Sequence, residues 1–553
     1  MITETSSVPA AVLSAPTITE QAPHIDYWLL SPLLVVFGAA VLGVLFEALV
    51  PQARRRALQL GLALAATAAA FVLTVLQGGS IPAGEAGTTL ALGSVAVDRV
   101  ALFLQGTILV LAFISLLLIA ENRRGESAFA AQAATVPGSE EERSHILAGS
   151  QHTEVYPLVL FAVLGMQLFT AANDFLTMFI ALEVMSLPLY LLCGLARRRR
   201  LFSQEAAVKY FLLGAFSSAF FLFGIALVYG YAGSVNFARV SEAIDAGGAS
   251  LFEDGSGEPL LLIGIALIGV GLLFKVGAVP FHNWKPDVYQ GAPTPITALM
   301  ASCTLVAAFG ALLRVFYTAF GASVDQWRPM LWTVAILTMV LAAVVAVTQR
   351  DIKRLLAYSS VVHAGFMLTA VVAASPEGLA GAMFYLAAYG FTTIGAFAIV
   401  TLVRTHENGP EAGELAQWAG LGRTSPLLAG SLALFLLAFA GIPLTSGFIG
   451  KFAVFEAAMA AGATPLVVVG VLSSAVTAFF YVRIIVLMFF SEPAETGPTV
   501  IRAGGLTGSA IAVGVAATFL LGVFPSPVLD NLVPQPSEEA AEPAVATADG
   551  FTR

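Results

Sequence analysis

The stretch LLLIGIALIGVGLLFKVGAVPFHNW, residues 260–284, is an apolar run that contains one lysine, Lys275, shortly before a proline. A second run, LFLLAFAGIPLTSGFIGKFAVF at 434–455, places Lys451 shortly after a proline. An ammonium group at bilayer depth is costly, so ionisable residues inside membrane spans are candidates for function. Proline interrupts helices, and transporters place their ion sites at interrupted helices. These two stretches therefore predict a membrane protein that moves charge.

The composition agrees with a chain that lies largely in a membrane. Of its 553 residues 58% are hydrophobic and 11% charged, and the mean hydropathy is +0.87, whereas about 25% of a soluble domain is charged. A membrane-spanning helix needs about 20 apolar residues. Fourteen segments fit: 28–50, 57–77, 98–120, 156–173, 175–195, 206–231, 258–280, 293–318, 328–348, 353–374, 379–404, 426–460, 465–490 and 504–525. The sequence predicts an all-α polytopic protein of about 14 helices, with no room for a soluble catalytic domain.

The middle of the chain divides into two blocks of five spans, 156–318 and 319–490. Each block has a broken helix as its fourth member, and the second break falls at Gly441–Pro443. Because each block has an odd number of spans, the second begins on the opposite side of the membrane, as in the inverted repeats of secondary transporters. The remaining predicted units are a polar tail at 1–27, a three-helix segment at 28–155, and a last helix with a disordered acidic tail at 491–553.

The positions of arginine and lysine predict the orientation of the chain. Clusters at Arg54–Arg56 and Arg197–Arg200 fall on the same side of the predicted spans, and Lys285 is assigned to a loop on that side. Cytoplasmic loops carry the excess of basic residues. We therefore expect both termini on the outer side, and the N-terminal tail lacks the pattern of a signal peptide.

Glu183 is the acidic residue predicted nearest to mid-membrane. It lies about 12 Å along the helix predicted at 175–195. Attraction to a carboxylate and loss of hydration act in opposite directions on a buried lysine, so moving Glu183 by a few ångströms would load or unload a proton. The alternative is a protonated carboxyl in a helix contact.

Three further residues are candidates for proton transfer. Lys209 begins the sixth span, where it either carries protons or extends its ammonium to the headgroups. His363 lies about 15 Å into the tenth span, and imidazole suits a proton relay near neutral pH; the alternative is a polar helix contact. His282 follows the first break and is a candidate for proton uptake from cytoplasmic water.

No cofactor or metal is indicated in this chain. Cys193 and Cys303 are isolated in apolar spans, whereas iron–sulfur and zinc sites need several ligands. Of the six histidines, only two fall near membrane depth, which is too few to favour a bis-histidine haem. No nucleic-acid partner is predicted, and the lipid bilayer is the expected surroundings.

Three motifs resemble those of a known family. They are GLLFKVGAVPFHNWKPDVYQGAPTPITALM at 271–300, QRDIKRLLAYSSVVHAGFML at 349–368 and AGIPLTSGFIGKFAVF at 440–455. They are similar to the proton-conducting, antiporter-type subunits of respiratory complex I, and the resemblance covers about residues 28–525. It implies 14 helices, inverted repeats and proton translocation driven by quinone reduction elsewhere in the complex.

The resemblance also implies roles for particular residues and partners. The residues that match the family's relay are Glu183, Lys209, Lys275, His363 and Lys451. FMN and iron–sulfur clusters would lie in partner subunits. The partners in the membrane would be the M-type antiporter-like subunit and small K/J-type subunits, in a bacterial plasma (inner) membrane.

One departure from the family concerns the eighth span. Many relatives carry a lysine there before an AFG-like motif, which links the two half-channels. In CTLVAAFGALLRV, residues 303–315, Leu305 occupies that position. Either water with Ser302 or Thr304 bridges the halves, or the link runs differently.

Two other functions remain open from the sequence. One is a subunit of the related multi-subunit cation/proton antiporters, without redox chemistry. The other is a structural membrane subunit in which the charged residues only fix helix packing. Retained pumping after removal of the charges would favour the structural alternative.

Overall fold

The computed structural model describes residues 25–81, 87–122, 127–129, 139–141, 144, 152–248, 257–406, 409–493 and 498–532. Most of the predicted N-terminal tail and the acidic C-terminal tail lie outside the described residues. Within them, twelve helices have the length and hydropathy to cross a membrane, and two shorter apolar helices, Val155–Ala171 and Pro426–Ala440, accompany them. This agrees with the predicted count of about 14 spans.

The helices of the first half follow the predicted order. They are α1 (Tyr27–Leu49), α2 (Gln52–Ser80), α3 (Arg99–Ala120), α4 (Val155–Ala171), α5 (Phe175–Cys193), α6 (Arg200–Ala232), α7 (Phe237–Asp245), α8 (Glu258–Val276), α9 (Trp284–Gly291), α10 (Thr294–Leu299) and α11 (Leu305–Arg314). The short α7 links two spans. The helix α6 begins at Arg200, earlier than the predicted 206.

The second half continues the bundle. Its helices are α12 (Val324–Thr348), α13 (Ile352–Ala373), α14 (Pro376–Val400), α15 (Leu421–Thr424), α16 (Pro426–Ala440), α17 (Ser446–Ala460), α18 (Thr464–Phe490), α19 (Gly505–Val523) and α20 (Ser526–Leu532). Aspartates cap several spans: the Asp351 side chain, for example, accepts from the backbone N–H of Lys353 and Arg354 at the start of α13, where orphan donors need partners.

Short strands occur only in connections between the described helices. Strand β1 (Thr88–Leu90) pairs antiparallel with β2 (Val95–Val97), and β3 (Val403–Arg404) pairs antiparallel with β4 (Thr499–Val500). They modify the all-α prediction only at the ends of the bundle.

The eighth span is the most buried part of the bundle. Every residue in its most apolar window, within Thr294–Ala319, is buried. Two π-helical turns, Met300–Thr304 and Val315–Ala319, flank α11, and such turns are frequent at functional sites. Leu305 begins α11 directly after the first π turn and is 2% exposed. By contrast, α6 exposes Phe216 and Phe223, as expected of a helix that faces lipid.

Both predicted breaks are present. Helix α8 ends at Val276, and Gly277 follows with a φ of +78°. Helix α16 ends at Ala440, and Gly441 follows with a φ of +82°. Helices commonly end at a residue in the left-handed backbone conformation, which glycine adopts without steric cost. The broken helices are therefore α8–α9 and α16–α17.

Equivalent helices of the two predicted blocks pack in the same way. Helix α4 packs along α5, as α12 does along α13, and α6 packs along both halves of its broken helix, α8 and α9, as α14 does along α16 and α17. This pattern is that of a repeat whose broken member lies against its third helix. The boundaries proposed for the units, 28–155, 156–318, 319–490 and 491–553, stay predictions.

Candidate functional site: a buried row of lysines and a histidine

Lys275 lies in the last turn of α8, where it is 5% exposed. Its Nζ donates to the hydroxyl of Tyr210 at 3.4 Å. It also lies over the rings of Tyr210 and Tyr190, 5.1 Å and 5.6 Å from their centroids. Tyr210 in turn stacks on Trp284 of α9 at 4.6 Å. Aromatic faces stabilise a desolvated cation, so α9 helps to build the pocket of a lysine that belongs to α8.

Glu183 lies on α5, half-buried, close enough to Lys275 for the two charges to interact. Its Oε1 atom is buried without a hydrogen-bond partner among the described residues. The structure contains no ion pair within 4 Å between Glu183 and a described lysine or arginine. The prediction that one or two waters separate Glu183 from Lys275 stays a prediction.

Lys209, on α6, makes its ion pairs at the edge of the bundle. Its Nζ lies 2.6 Å from Glu205 and 2.8 Å from Asp287, and its side chain is 41% exposed. Arg354 binds the other oxygen of Asp287 at 2.6 Å. Lys209 is thus held by carboxylates other than Glu183, and its role in the relay stays a prediction.

Lys285 is a functional candidate that the sequence analysis missed. The assignment of this residue to a loop is wrong, since it lies in α9 and is 1% exposed. Its Nζ donates to the carbonyl of Val276 at 2.9 Å and to the hydroxyl of Ser360 at 2.8 Å. Burial follows from the way α9 folds back, because the indole of Trp284 donates to the carbonyl of Phe274 at 3.0 Å.

The sequence around Lys285 gives only a weak signal of this burial. The stretch HNWKPD is polar and follows a break, which is typical of a loop. Its one contrary feature is Trp284, an aromatic residue that buries a large surface wherever it can.

His363 lies at the centre of α13 and is 1% exposed. Its Nδ1 is 2.7 Å from the hydroxyl of Tyr385, and its Nε2 is 3.2 Å from the hydroxyl of Tyr481. Tyr481 also makes a hydrogen bond with Ser359. The ring of Tyr389 lies against that of His363 at 4.9 Å. Both ring nitrogens thus have hydroxyl partners that can donate or accept, which suits a group that passes a proton through.

Lys451 lies in α17 and is 6% exposed. Its Nζ donates to the carbonyls of Phe439 and Ala440, at 2.9 Å and 3.0 Å, and to the hydroxyl of Ser474 at 2.8 Å. It lies 4.8 Å from the centroid of Phe366. The break therefore supplies the carbonyls that hold this lysine, as expected where a broken helix lines a polar cavity.

Lys451 and His363 share two neighbouring residues, Phe366 and Phe439. The rings of Phe366 and Phe439 lie 5.6 Å and 5.5 Å from that of His363. Lys451 lies over the ring of Phe366 but contacts Phe439 through its backbone carbonyl. Within the described residues no hydrogen bond joins Lys451 to His363. The role of Lys451 in an outer-facing pathway stays a prediction.

His282 is half-buried in the first break, where its ring lies edge-on to Tyr358 at 6.1 Å. This position between α8 and α9 leaves its role in proton uptake a prediction. The described residues contain no group of three His, Cys, Asp or Glu side chains that could hold a metal ion. Cys193 and Cys303 are buried and unpaired as thiols.

Comparison with protein families assigns the class. A family model described as "NADH:quinone oxidoreductase/Mrp antiporter, TM" matches residues 172–477, which include both breaks and all of the candidate residues above. The chain belongs to this family of antiporter-type membrane subunits.

Individual relatives narrow the assignment. The chain is 77% identical over 531 residues to NADH-quinone oxidoreductase subunit N of Thermobifida fusca (strain YX), covering 96% of each protein. It is 53% identical over 527 residues to subunit N of Mycobacterium tuberculosis (strain ATCC 25618 / H37Rv), covering 92% of this chain and 97% of that one. Within its family the chain therefore falls in the subunit N group, which confirms the resemblance inferred from three motifs.

Solved structures agree at the level of the fold. A chain of respiratory complex I from Thermus thermophilus with bound aureothin matches with a TM-score of 0.71 and 32% identity, covering 91% of this chain and 100% of that one. A chain of the Mrp complex from Dietzia sp. DQ12-45-1b matches with a TM-score of 0.74 and 22% identity, covering 91% and 96%. The second likeness shows the shared fold alone.

Proposed function

We propose that this chain is a membrane-arm subunit of a bacterial NADH:quinone oxidoreductase, in which it moves protons across the plasma membrane. The observation that supports this most is the set of buried lysines at the two breaks, Lys275, Lys285 and Lys451, together with the buried His363 on α13. Burying an ammonium group costs several kcal/mol even after the protein relaxes. Residues that only held helices together would not need that charge.

The proposed pathway has two halves. Lys275 with Glu183 forms the first half, with Lys209 and His282 as its candidate uptake side. Lys451 at the second break forms the other half, with His363 between the two. Displacement of Glu183 would change the electrostatic cost of charge on Lys275 and so release its proton.

The energy for this transport would come from other subunits. The candidate residues are lysines, histidines and a carboxylate, whose chemistry is proton exchange. FMN, iron–sulfur clusters and quinone chemistry are therefore assigned to partner subunits, and the M-type and small K/J-type membrane subunits are the proposed neighbours. Both termini are proposed to lie on the outer side, from the distribution of basic residues.

The antiporter alternative has less support. The Mrp chain shares the fold at 22% identity, while relatives named as subunit N reach 77% identity over 96% of the chain. The structural alternative has one observation in its favour, because Lys451 binds the carbonyls at the end of α16 and would stabilise that helix terminus.

The deciding experiment compares pumping with electron transfer in the intact complex. We expect Lys451→Ala and Lys275→Ala, in inverted membrane vesicles, to lower NADH-driven proton uptake by about tenfold or more, with the amount of assembled complex unchanged. The matched control is Lys353→Met. Lys353 is also a buried lysine, but it lies 3.7 Å from Glu411 rather than at a break. Wild-type numbers of protons pumped per electron in both assembled alanine variants would refute the proposed function.

A further inference from the structure

The two halves of the proposed pathway need a connection, and the eighth span does not provide one in the expected way. At the position where the family resemblance would place a lysine, Leu305 presents an apolar, buried side chain. The buried cation of this span, Arg314, is paired with Asp98 at 2.9 Å. Arginine keeps its proton under all ordinary conditions, so Arg314 cannot relay one.

Lys285 stands at the place where a connection is needed. On one side its Nζ binds the carbonyl of Val276, the residue next to Lys275. On the other side it binds the hydroxyl of Ser360, on the helix that carries His363. Residues three apart on a helix lie on the same face, about 5–6 Å from each other, so Ser360 and His363 are neighbours.

The polar contacts continue from Ser360 towards the histidine. The ring of Tyr389 packs against that of His363, with 4.9 Å between the ring centroids. The adjacent Ser359 binds Tyr481, which binds Nε2 of His363. Hydroxyl groups can donate and accept at once, which is the property that a proton chain requires.

The surroundings of Lys285 match those of Lys451. Each Nζ donates to the carbonyl of the last residue of the helix before its break, Val276 for one and Ala440 for the other, at 2.9 Å and 3.0 Å. Each also donates at 2.8 Å to a serine hydroxyl of a neighbouring helix.

The glycine after each helix completes the likeness. A Cβ built on Gly277 would lie 2.7 Å from Cδ of Lys285, and one built on Gly441 would lie 2.9 Å from Cδ of Lys451. In the geometry of the breaks, the counterpart of Lys451 in the first block is thus Lys285, and Lys275 is an additional lysine.

Lys285 has no carboxylate partner within 4 Å among the described residues; its only charge-stabilising contact beyond the two hydrogen bonds is the ring of Tyr289, 5.9 Å away. A buried ammonium with neutral partners is costly to keep charged. A lysine kept only for structure would more often be paired with a carboxylate, as Lys353 is.

We propose that Lys285 is the proton-carrying residue that connects the Lys275 site to the His363 site in this chain. This inference rests on the proposed function. In the transfer, an N–H bond of the Lys285 ammonium breaks as the oxygen of Ser360 takes the proton. The O–H proton of Ser360 moves on through a water molecule to a neutral His363. Lys285, now an amine, is recharged through water by a proton from Lys275, so the charge is conserved at each step.

The test separates proton transfer from structural anchoring with Lys285→Gln in the native complex. Glutamine keeps two N–H donors, one bond nearer the backbone than the lysine Nζ, but carries no exchangeable charge. We expect normal assembly with protons pumped per electron reduced by about tenfold or more. Pumping of the assembled glutamine variant at the wild-type level would overturn the inference.

A second variant covers the case in which Lys285→Gln does not assemble. Ser360→Ala removes the hydroxyl that receives the proton and leaves the helix backbone unchanged. Its matched control is Ser115→Ala, another buried serine, whose hydroxyl donates to the carbonyl of Leu111 on its own helix at 2.9 Å. Lower pumping in Ser360→Ala alone supports the inference, and equal pumping in both variants overturns it.

The outcome is distinguishable from failure of the proposed function. If Lys275→Ala and Lys451→Ala abolish pumping while Lys285→Gln and Ser360→Ala do not, only the connection through Lys285 is wrong. If all four variants pump normally, the proposed function itself is wrong.

Discussion

The hydroxyl of Tyr481, on α18, lies 3.2 Å from Nε2 of His363, on α13. The two residues are 118 positions apart in the sequence, and the same hydroxyl also binds Ser359. The contact therefore couples the helix that carries the central histidine to the helix that carries Ser474, the hydroxyl partner of Lys451.

Tyr481→Phe should impair proton transfer without unfolding the subunit. The ring stays in place while the hydroxyl is lost, and one hydrogen bond is worth about 1 kcal/mol net. We expect pumping to fall by about fivefold, measured as proton uptake per NADH oxidised. Tyr317→Phe is the control, since the hydroxyl of Tyr317 donates to the backbone carbonyl of Ala370 at 3.1 Å. Equal losses in both variants would contradict a specific role for Tyr481.

Glu183→Gln should lower pumping while leaving assembly unchanged. The substitution keeps the shape of the side chain and removes the charge that acts on Lys275. Because Oε1 of Glu183 has no hydrogen-bond partner among the described residues, little structural stabilisation is lost. We expect pumping to fall by about tenfold.

The control for that experiment is Glu47→Gln. This substitution removes a carboxylate of α1 that is paired with Arg55 of α2 at 3.1 Å. It should leave pumping near the wild-type level. A high-resolution structure of the whole complex should also show one or two waters between Glu183 and Lys275. Direct lipid contact of Glu183, or normal pumping by Glu183→Gln, would refute the pairing.

Gly277→Ala tests whether the position of Lys285 matters. The new Cβ would come 2.7 Å from Cδ of Lys285, so the lysine must move. The positive φ adds strain of about 1–2 kcal/mol. Gly462 has the same φ of +78° with nothing within 4 Å of the added Cβ. Gly462→Ala should therefore destabilise the purified complex to a similar extent in thermal denaturation, but only Gly277→Ala should reduce pumping.

Asp287→Asn should destabilise the edge of the bundle modestly. Asp287 binds both Lys209 and Arg354, and ion pairs near the surface contribute about 0.2–1 kcal/mol each. We expect Asp287→Asn to lower the stability of the complex by about 1 kcal/mol in thermal denaturation. High salt weakens the same ion pairs in the wild type, so it should reduce the difference between the two proteins. Glu205→Gln removes a single, more exposed partner of Lys209 and should have a smaller effect. An equal or larger effect of Glu205→Gln would show that Asp287 does not join the two cations.

Much of the fold could be predicted from the sequence because the bilayer imposes simple rules. Spans must be long and apolar, and the stretches around Gly277 and Gly441 combine glycine with proline, which ends helices. The span count and both breaks follow from these local signals. The start of α6 at Arg200 was missed because its first turns are polar and lie at the end of the apolar run.

The candidate site could be predicted only in part. Lys275 and Lys451 stand out because their neighbours in sequence are apolar. Lys285 does not, because its burial depends on Val276 and on Ser360, which lies 75 positions away. A polar neighbourhood in sequence is a good guide to exposure for a regular helix but not for a short helix that folds back beneath a break.

The carbonyl anchors at the breaks have a consequence for how the pathway can be gated. An amide oxygen accepts hydrogen bonds but, unlike a carboxylate, does not take up a proton under physiological conditions. A neutral lysine amine still has N–H donors, so Val276 and Ala440 hold Lys285 and Lys451 in place whether or not these residues are charged. Discharge alone therefore does not release either side chain. Proton transfer in one direction must therefore be controlled by movement of the groups that exchange protons with these lysines, while the lysine side chains keep their positions.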